Sequence, residues 1–394
     1  MPIRVAILTT DRRECDKDYA NPKPSFMTPV EALLPGVVTL PEMEVHIVSC
    51  VQKPLVSSPE KLAENVWYHV AYAPKIGWMR TGYQGCIRAV RKKLRQIQPD
   101  IVHGQGTERD CAISAVFSGF PNIITIHGHH AELARRFRAR LGSYVWCAAR
   151  LEEFTLPRTQ GIICISDYVK SLVEHYGIPT WVVPNAIQKM FFDFPRTTPA
   201  PLEKPLLINV GVISERKRQP QLLTLLESLR EEGLQFDSLF VGVSSPKLPY
   251  AVEFMPKLEQ ANRKYGGFEH VTRLDDPDFC RLFDRASAMI HFSAEESFGL
   301  TFGEAIARGL YLFASDVGAI QDLARGVNRV QILGVNDWEG LKCAIRQWLA
   351  SGGDRLPRPA QAPDVFLQHF HPVPVAQRHL EIYRELLKTH RQTS

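Results

Sequence analysis

Two carboxylates eight positions apart, Glu296 and Glu304, frame the glycine-punctuated run "EESFGLTFGEAIARGL" at residues 295–310. Such a pair suits two solvated side chains, an acid with a base, or two contacts to the ends of one long polar ligand. The run follows the apolar stretch "IHFSA", so the segment reads as strand, loop and helix, with the helix beginning near Gly299 or Leu300. The N–H groups of a first helical turn, aided by the helix dipole, suit a phosphate. Eight residues at helical rise span roughly 12 Å, a separation that fits the ends of a sugar nucleotide. On that reading Glu304 accepts ribose hydroxyls, the helix N-terminus holds a diphosphate, and Glu296 faces the sugar. The alternative is an ordinary helix residue at 304 and a dipole-complementing carboxylate at 296. The spacing alone does not choose between them.

Placing such groups requires a scaffold. The chain has 394 residues, 45% of them apolar and 23% charged, which suits two folded domains of about 200 residues each. Apolar runs such as "IRVAILTT", "EVHIVSC", "DIVHGQG", "NIITIHG", "PLLINVG", "DSLFVGV", "AMIHFS" and "LYLFAS" alternate with segments of three- and four-residue apolar spacing such as "QPQLLTLLESLREEG". This β-then-α rhythm predicts two doubly wound parallel sheets. Ligands bind such sheets beyond the carboxyl ends of the strands, so two sheets facing a cleft offer one site on each lip. The four prolines of "DFPRTTPAPLEKP" (193–205) mark a linker. The expected domains are 1–193 and 194–371, with an amphipathic helix over 372–394 packing back on the first.

Eight cysteines occur singly, without a C-x-x-C pair, and read as reduced core residues. The N-terminal run lacks the apolar core of a signal peptide and no apolar stretch approaches 18 residues, so the expected compartment is the cytosol. Residues 1–200 carry 24 Lys and Arg against 18 Asp and Glu, whereas the remainder carries 23 against 24. Much of the excess lies in "IRAVRKKLRQ" (87–96) and "LARRFRAR" (133–140), either solvated helix faces or a surface for an anionic acceptor or the inner face of a membrane.

The block "ESFGLTFGEAIARG" resembles the E-x7-E signature of the GT4-type retaining glycosyltransferases. "DIVHGQG", "IITIHGHH", "IICISDYVKSLV", "VVPNAI", "INVGVISERKRQ" and "HLEIYRELL" resemble further family segments in the expected order. The resemblance implies a GT-B fold: two Rossmann-like domains, the N-terminal one for the acceptor and the C-terminal one for a nucleotide diphosphate sugar, UDP- or GDP-linked. It implies that Glu296 contacts donor sugar hydroxyls, that Phe298, Gly299 and Leu300 present backbone near the diphosphate, and that Glu304 binds the ribose. "NVGVISERKRQ" (209–219) resembles the family's V-G-R-L-x-x-x-K-G, which places Gly211 and Lys217 at the donor. The family Arg is Val212 here and the following Gly is Arg218, leaving Arg216 or Arg218 to supply a guanidinium. Cations aimed there stabilise the charge that grows on a leaving diphosphate. The plain reading of "ERKR" is a solvated helix entry.

His127 of "TIHGHH" matches the family His near acceptor and donor sugar, and is expected to act in catalysis without being assigned as a base. The cluster His127, His129 and His130 lacks a partner Cys/His pair, and the resemblance implies no divalent metal and no further cofactor. The family's first loop carries a glycine pair; "TTDRRECDKDYANPKPSFMTPVEALLPG" has no glycine before Gly36, and the insertion over 11–35 is expected to lid the cleft or shape the acceptor pocket. His103 and Glu108 line the acceptor side or pack in the core.

The expected function is transfer of a sugar from a nucleotide diphosphate donor to a hydroxyl of a glycan or lipid-linked acceptor, with no nucleic-acid partner. A nucleotide-sugar epimerase of the same fold is the first alternative, although those lack the E-x7-E block. A donor-binding module without catalysis is the second, prompted by Val212 and the absent glycine pair. A dinucleotide oxidoreductase ranks last because no G-x-G-x-x-G follows an apolar run.

Overall fold

Runs such as Ile101–Gln105 and Leu206–Val210 are buried at every position, as strands of a parallel sheet covered on both faces must be. In the computed structural model, which describes residues 2–74, 76, 78–196, 202–244, 249–353 and 358–393, they lie at the centres of two sheets. The chain forms two compact units, Met1–Ile187 with His369–Ser394, and Gln188–Gln368.

The first unit contains β1 (Ile3–Leu8), β2 (Met43–Val51), β3 (Lys61–Ala63), β4 (Val66–Tyr72), β5 (Ile101–Gln105), β6 (Asn122–Ile126), β7 (Ile162–Cys164) and β8 (Thr180–Val182). Their order is β3-β4-β2-β1-β5-β6-β7-β8, parallel throughout except for β3 against β4. Alternate residues of β1 and β2 enter different cores. Val5, Ile7, Val45 and Ile47 join one, and Ala6, Leu8, Val48 and Cys50 the other. The first core is completed by Val375, Ala376, Leu380, Tyr383 and Leu386 of the C-terminal helix Pro372–Thr393, which packs on the helix Thr28–Val38.

The second unit contains β9 (Leu206–Val210), β10 (Asp237–Val241), β11 (Phe268–Val271), β12 (Ala288–His291), β13 (Tyr311–Ser315) and β14 (Val330–Leu333). All pair in parallel in the order β11-β10-β9-β12-β13-β14. That is the strand order of a six-stranded Rossmann sheet.

The units divide after Ile187, earlier than the expected 193/194. Phe191 already packs against Phe283 at 5.9 Å, and the carbonyls of Phe191 and Phe194 accept from the buried Arg308 guanidinium. Part of the proline-rich stretch, 197–201, lies outside the described residues. At the other end the first unit resumes at His369 rather than 372.

The 11–35 insertion is anchored in the first unit at both ends, while residues 15–23 between them are mostly exposed. Asp11 and Arg13 are buried and ion-paired at 2.7 Å, and the Tyr68 hydroxyl of β4 donates to Asp11 at 2.5 Å. Glu14, also fully buried, accepts from the Gln52 N–H at 2.8 Å and the Tyr19 hydroxyl at 2.9 Å. The helix Thr28–Val38 then carries Val30, Leu33 and Val37 into the core. The cysteines are all unpaired; five are buried, but Cys15 and Cys343 are exposed and Cys147 is half-buried. Among the described residues no helix is long and apolar enough to cross a membrane.

Candidate functional site

In the second unit the strand order reverses between β9 and β12, the switch point at which loops part beyond the strand ends. The loop after β9 carries Gly211, Arg216 and Lys217; the loop after β12 carries Glu295, Glu296 and Phe298. The Ala294 N–H donates to the Arg216 carbonyl at 2.8 Å and ties the two together. Gly318, at φ +56°, lets the next loop close on the second, since a Cβ there would run into the Glu296 carbonyl. Gly211, at φ +155°, similarly leaves room for the methylenes of Lys217.

Lys217 Nζ reaches Glu296 Oε2 at 2.5 Å. Arg216 Nη1 stands 3.3 Å from Glu295 Oε2 and 3.8 Å from Glu296 Oε1. His291 Nε2, at the end of β12, lies 3.3 Å from Glu296 Oε2 without the alignment of a hydrogen bond. Glu295 and Glu296 are only 3% and 8% exposed. Burial pushes the Glu296 carboxyl up, but the Lys217 and Arg216 charges outweigh it and hold it well below the usual carboxylate range. Burial and the nearby Lys217 charge lower His291, keeping it neutral at pH 7. The site therefore holds an ionised, cation-flanked carboxylate.

Arg216 and Arg218 have different tasks. Arg218 donates to the Val335 carbonyl at 2.5 Å and Asn336 Oδ1 at 3.0 Å, and lies 5.8 Å over the Trp338 ring. Its backbone is left-handed at φ +57°, where the resembled pattern has glycine. Val212 is 52% exposed. Arg216 is thus the guanidinium placed beside the carboxylates.

Gly299, at φ +97°, precedes the helix Leu300–Ala307, whose first i→i−4 bond is Gly303 N–H to Gly299 O at 3.0 Å. The N–H groups of Leu300, Thr301 and Phe302 precede that bond, as a helix N-terminus requires. Phe298 is buried beneath the turn, and Glu304 lies just over one turn into the helix, 7% exposed. The structure thus joins Gly211, Arg216, Lys217 and Glu296 directly, with Phe298, Gly299, Leu300 and Glu304 following along the same chain into the helix. His291 and Glu295 were not singled out from the sequence. Their signals were present, a histidine ending a strand and a second carboxylate beside Glu296.

His127 lies in the first unit, just after β6. Its Nε2 meets Gln105 Oε1 at 2.7 Å and its Nδ1 meets Asn185 Oδ1 at 3.1 Å. Gln105 Nε2 faces the His103 ring at 3.2 Å, which fixes that amide so that His127 donates from Nε2. A neutral His127 ring then accepts at Nδ1 once the Asn185 amide presents its NH2. Burial lowers the His127 pKa, partly opposed by Glu108. His103 is a core residue, 0% exposed, between the Tyr383 hydroxyl at Nδ1 and Thr125 Oγ1 at Nε2, both 2.6 Å away.

The other two histidines go elsewhere. His129 Nδ1 accepts the Glu132 N–H at 3.0 Å and caps the helix His130–Arg136; His130 Nε2 faces Glu108 at 3.8 Å. Fully buried Glu152 accepts from the N–H groups of His130 and Ala131 at 3.2 and 3.0 Å. Among the described residues the one cluster with metal-ligand types is Cys50, Cys86 and Asp110, with ligand atoms within 4.8 Å of one another and all buried. Hydrogen bonding with Cys86 and burial raise Cys50 well above the usual thiol range, and burial raises Asp110 above the usual carboxylate value, partly opposed by Arg109. Arg88, Arg91, Lys92 and Arg95 of the helix Gln84–Ile97, and Arg135, Arg136, Arg138 and Arg140, are exposed.

Residues 40–189 match the family model Glycosyltransferase Family 4, and residues 191–361 match Glycosyl transferases group 1. A serotype-specific mannosyltransferase, WbdA of Escherichia coli, is 25% identical over 184 residues, covering 42% of this chain and 22% of that protein. The chain thus spans about a fifth of the length of the curated relatives it matches. Among solved structures, sucrose-phosphate synthase of Thermosynechococcus elongatus is similar with a TM-score of 0.72, 16% identity, and coverage of 98% of this chain and 100% of that one. HepE of Anabaena in complex with UDP-glucose is similar with a TM-score of 0.67, 13% identity, and coverage of 97% and 100%.

Proposed function

The chain belongs to the GT4-type glycosyltransferases of the GT-B fold, and from that premise we propose that it is a retaining, metal-independent transferase of a UDP- or GDP-linked sugar. The reading rests on the pairing of Lys217 with Glu296 at the switch point of the second sheet. A cation and an ionised carboxylate held 2.5 Å apart suit the one place in a sugar nucleotide where anionic phosphate adjoins sugar hydroxyls. Lys217 and Arg216 take the diphosphate with the N-terminus of Leu300–Ala307, Glu296 takes the sugar hydroxyls, and Glu304 takes the ribose.

The acceptor hydroxyl attacks on the face from which the diphosphate leaves, and a leaving phosphate oxygen takes its proton. Lys217 and Arg216 stabilise the charge that grows on that oxygen, in a site where burial strengthens the interaction. His127 orients the reacting groups as a neutral ring. The acceptor is a glycan or lipid-linked hydroxyl in polysaccharide or glycolipid synthesis, reached from the cytosol, with the exposed arginines of the first unit meeting an anionic membrane face. The HepE structure holding UDP-glucose supports the choice of donor class.

Calorimetry with UDP, GDP, ADP and their sugar conjugates tests the reading, with Glu304→Ala as the control. One nucleotide sugar is expected to bind and to lose affinity in the variant, and the product is expected to keep the donor's anomeric configuration. Failure to bind or turn over any of them would sink the assignment; binding without product would leave a donor-binding module.

A further inference from the structure

His291 closes β12 behind Ala288, Met289 and Ile290, and at 1% exposure it is as buried as the apolar residues before it. Among the described residues its Nε2 has no hydrogen-bond partner. Glu296 Oε2 stands 3.3 Å away but out of line with the ring nitrogen. Facing a carboxylate, Nε2 carries the ring proton, because a lone pair there would repel Oε2. Phe302, in the first turn of Leu300–Ala307, lies against the ring at 5.8 Å, and Asn209 of β9 donates to the Ile290 carbonyl at 2.8 Å. The histidine is thus held in place, and the carboxylate, on the loop beyond the strand, is the partner that can turn.

Lys217 accounts for the misalignment. Its Nζ takes the same oxygen, Oε2, at 2.5 Å, while Arg216 Nη1 stands 3.8 Å from Oε1. A charge-assisted bond sets the direction of a carboxylate against a weaker neutral donor. The His291 N–H is left over, and a buried donor without a partner costs stability that an apolar side chain of similar size would not. An uncompensated group of this kind in a ligand site points to use in another state.

On the glycosyl-transfer reading, on which this inference rests, that state is the donor complex. An arriving diphosphate offers Lys217 more negative charge than one carboxylate does and draws Nζ away from Oε2. We propose that His291 is a positioning residue for Glu296: as Lys217 turns to the diphosphate, Nε2–H takes over Oε2 and holds the carboxylate with Oε1 toward the sugar hydroxyls. A neutral ring suits this exchange. It adds no charge to compete with Lys217 and Arg216 for the diphosphate, and it leaves Glu296 ionised to accept from hydroxyls. Burial and the Lys217 charge keep the ring in that neutral form at pH 7.

The test compares His291→Leu, which deletes the donor, with His291→Gln, whose amide keeps one at similar reach. Thermal unfolding without ligand, calorimetry with UDP, GDP and their sugar conjugates, and steady-state rates are measured on the full chain. In His291→Leu the unliganded midpoint is expected to hold or rise, because the orphaned donor is gone. Affinity for the free nucleoside diphosphate is expected to stay within about twofold, which also certifies the fold. The kcat/KM for the sugar conjugate is expected to fall on the order of tenfold, the scale of one hydrogen bond, and His291→Gln is expected to recover most of that loss. A lower midpoint in His291→Leu shows that Nε2 is partnered in the free protein and overturns the proposal. So does an unchanged kcat/KM in that variant, a matching loss of free-nucleotide affinity, or a His291→Gln variant as impaired as His291→Leu. If the wild-type chain binds no nucleotide sugar, the donor reading fails and the proposal falls with it; wild-type turnover beside an unimpaired His291→Leu removes His291 alone.

Discussion

Lys217 Nζ lies 2.5 Å from Glu296 Oε2, and both side chains are about nine-tenths buried. Removing one partner of a buried pair strands the other, at a cost of about 3–5 kcal/mol. Lys217→Met is therefore expected to lower the urea midpoint strongly at pH 7. The Glu296 pKa is depressed in the fold, so the pair contributes stability above the unfolded carboxylate pKa and loses it as pH falls through the folded value. In the variant, burial without Lys217 raises that pKa, and protonation relieves the stranded charge on acidification. The gap between wild type and variant should narrow from pH 7 to pH 4.5; a pH-independent gap would remove the pair from the account.

Arg216 and Arg218 separate function from fold. Arg216→Ala should lower kcat about 100-fold, the scale of about 2.7 kcal/mol of transition-state charge stabilisation, with little change in melting temperature. Arg218→Gly should keep kcat and be near neutral in stability, because relief of the left-handed backbone, about 1–2 kcal/mol, offsets the lost contacts to Val335, Asn336 and Trp338. Arg218→Val, which loses the same contacts without that relief, should be clearly destabilised. Steady-state rates and thermal unfolding of the three variants decide the division; equal kcat losses would refute it.

Because burial holds His127 below its ordinary pKa of 6.5, the ring is neutral at pH 7 and gains a proton only on the acid side. Turnover that depends on the neutral ring should be flat from pH 6.5 upward and fall below it. His127→Ala should lose about 100-fold in kcat along with that acid limb. Full turnover with an unchanged pH profile in the variant would take His127 out of the reaction.

Tyr383→Phe deletes the hydroxyl that meets His103 Nδ1 in a fully buried setting. An orphaned ring nitrogen costs about 1–3 kcal/mol, which should appear as a lower urea midpoint. Gln105 bridges His103 to His127, so kcat should also fall while KM holds. An unchanged midpoint would show that the two groups do not depend on each other.

Most strands were legible in the sequence, and β3, β4, β11 and β14 were not. β1, β2, β5, β9, β12 and β13 are buried at most or all positions because both faces meet a core. β4 and β11 mix buried and exposed positions, and β14 is half-buried throughout, so "VWYHVAY", "FEHV" and "VQIL" give weak patterns. At the site, Glu296, Lys217 and Gly211 stood out because spacing and family resemblance agreed. His291 was masked because it sits in a strand whose remaining residues are core. The guanidinium replacing the family Arg could not be chosen from "ERKR", since only the left-handed turn at Arg218 sends neighbouring arginines to different partners.

The C-terminal helix has a consequence for the order of events during synthesis. Val375, Leu380 and Tyr383 fill the core of the first unit, yet they are translated 188 or more residues after Ile187, where the N-terminal part of that unit ends. At translation rates of roughly 5–20 residues per second, the nascent first unit waits roughly 10–40 s for its final helix. The second unit, Gln188–Gln368, is continuous in the chain and suffers no such delay. The second unit is thus equipped to finish folding before the first, and the apolar face of Thr28–Val38 needs shelter until Pro372–Thr393 has been made.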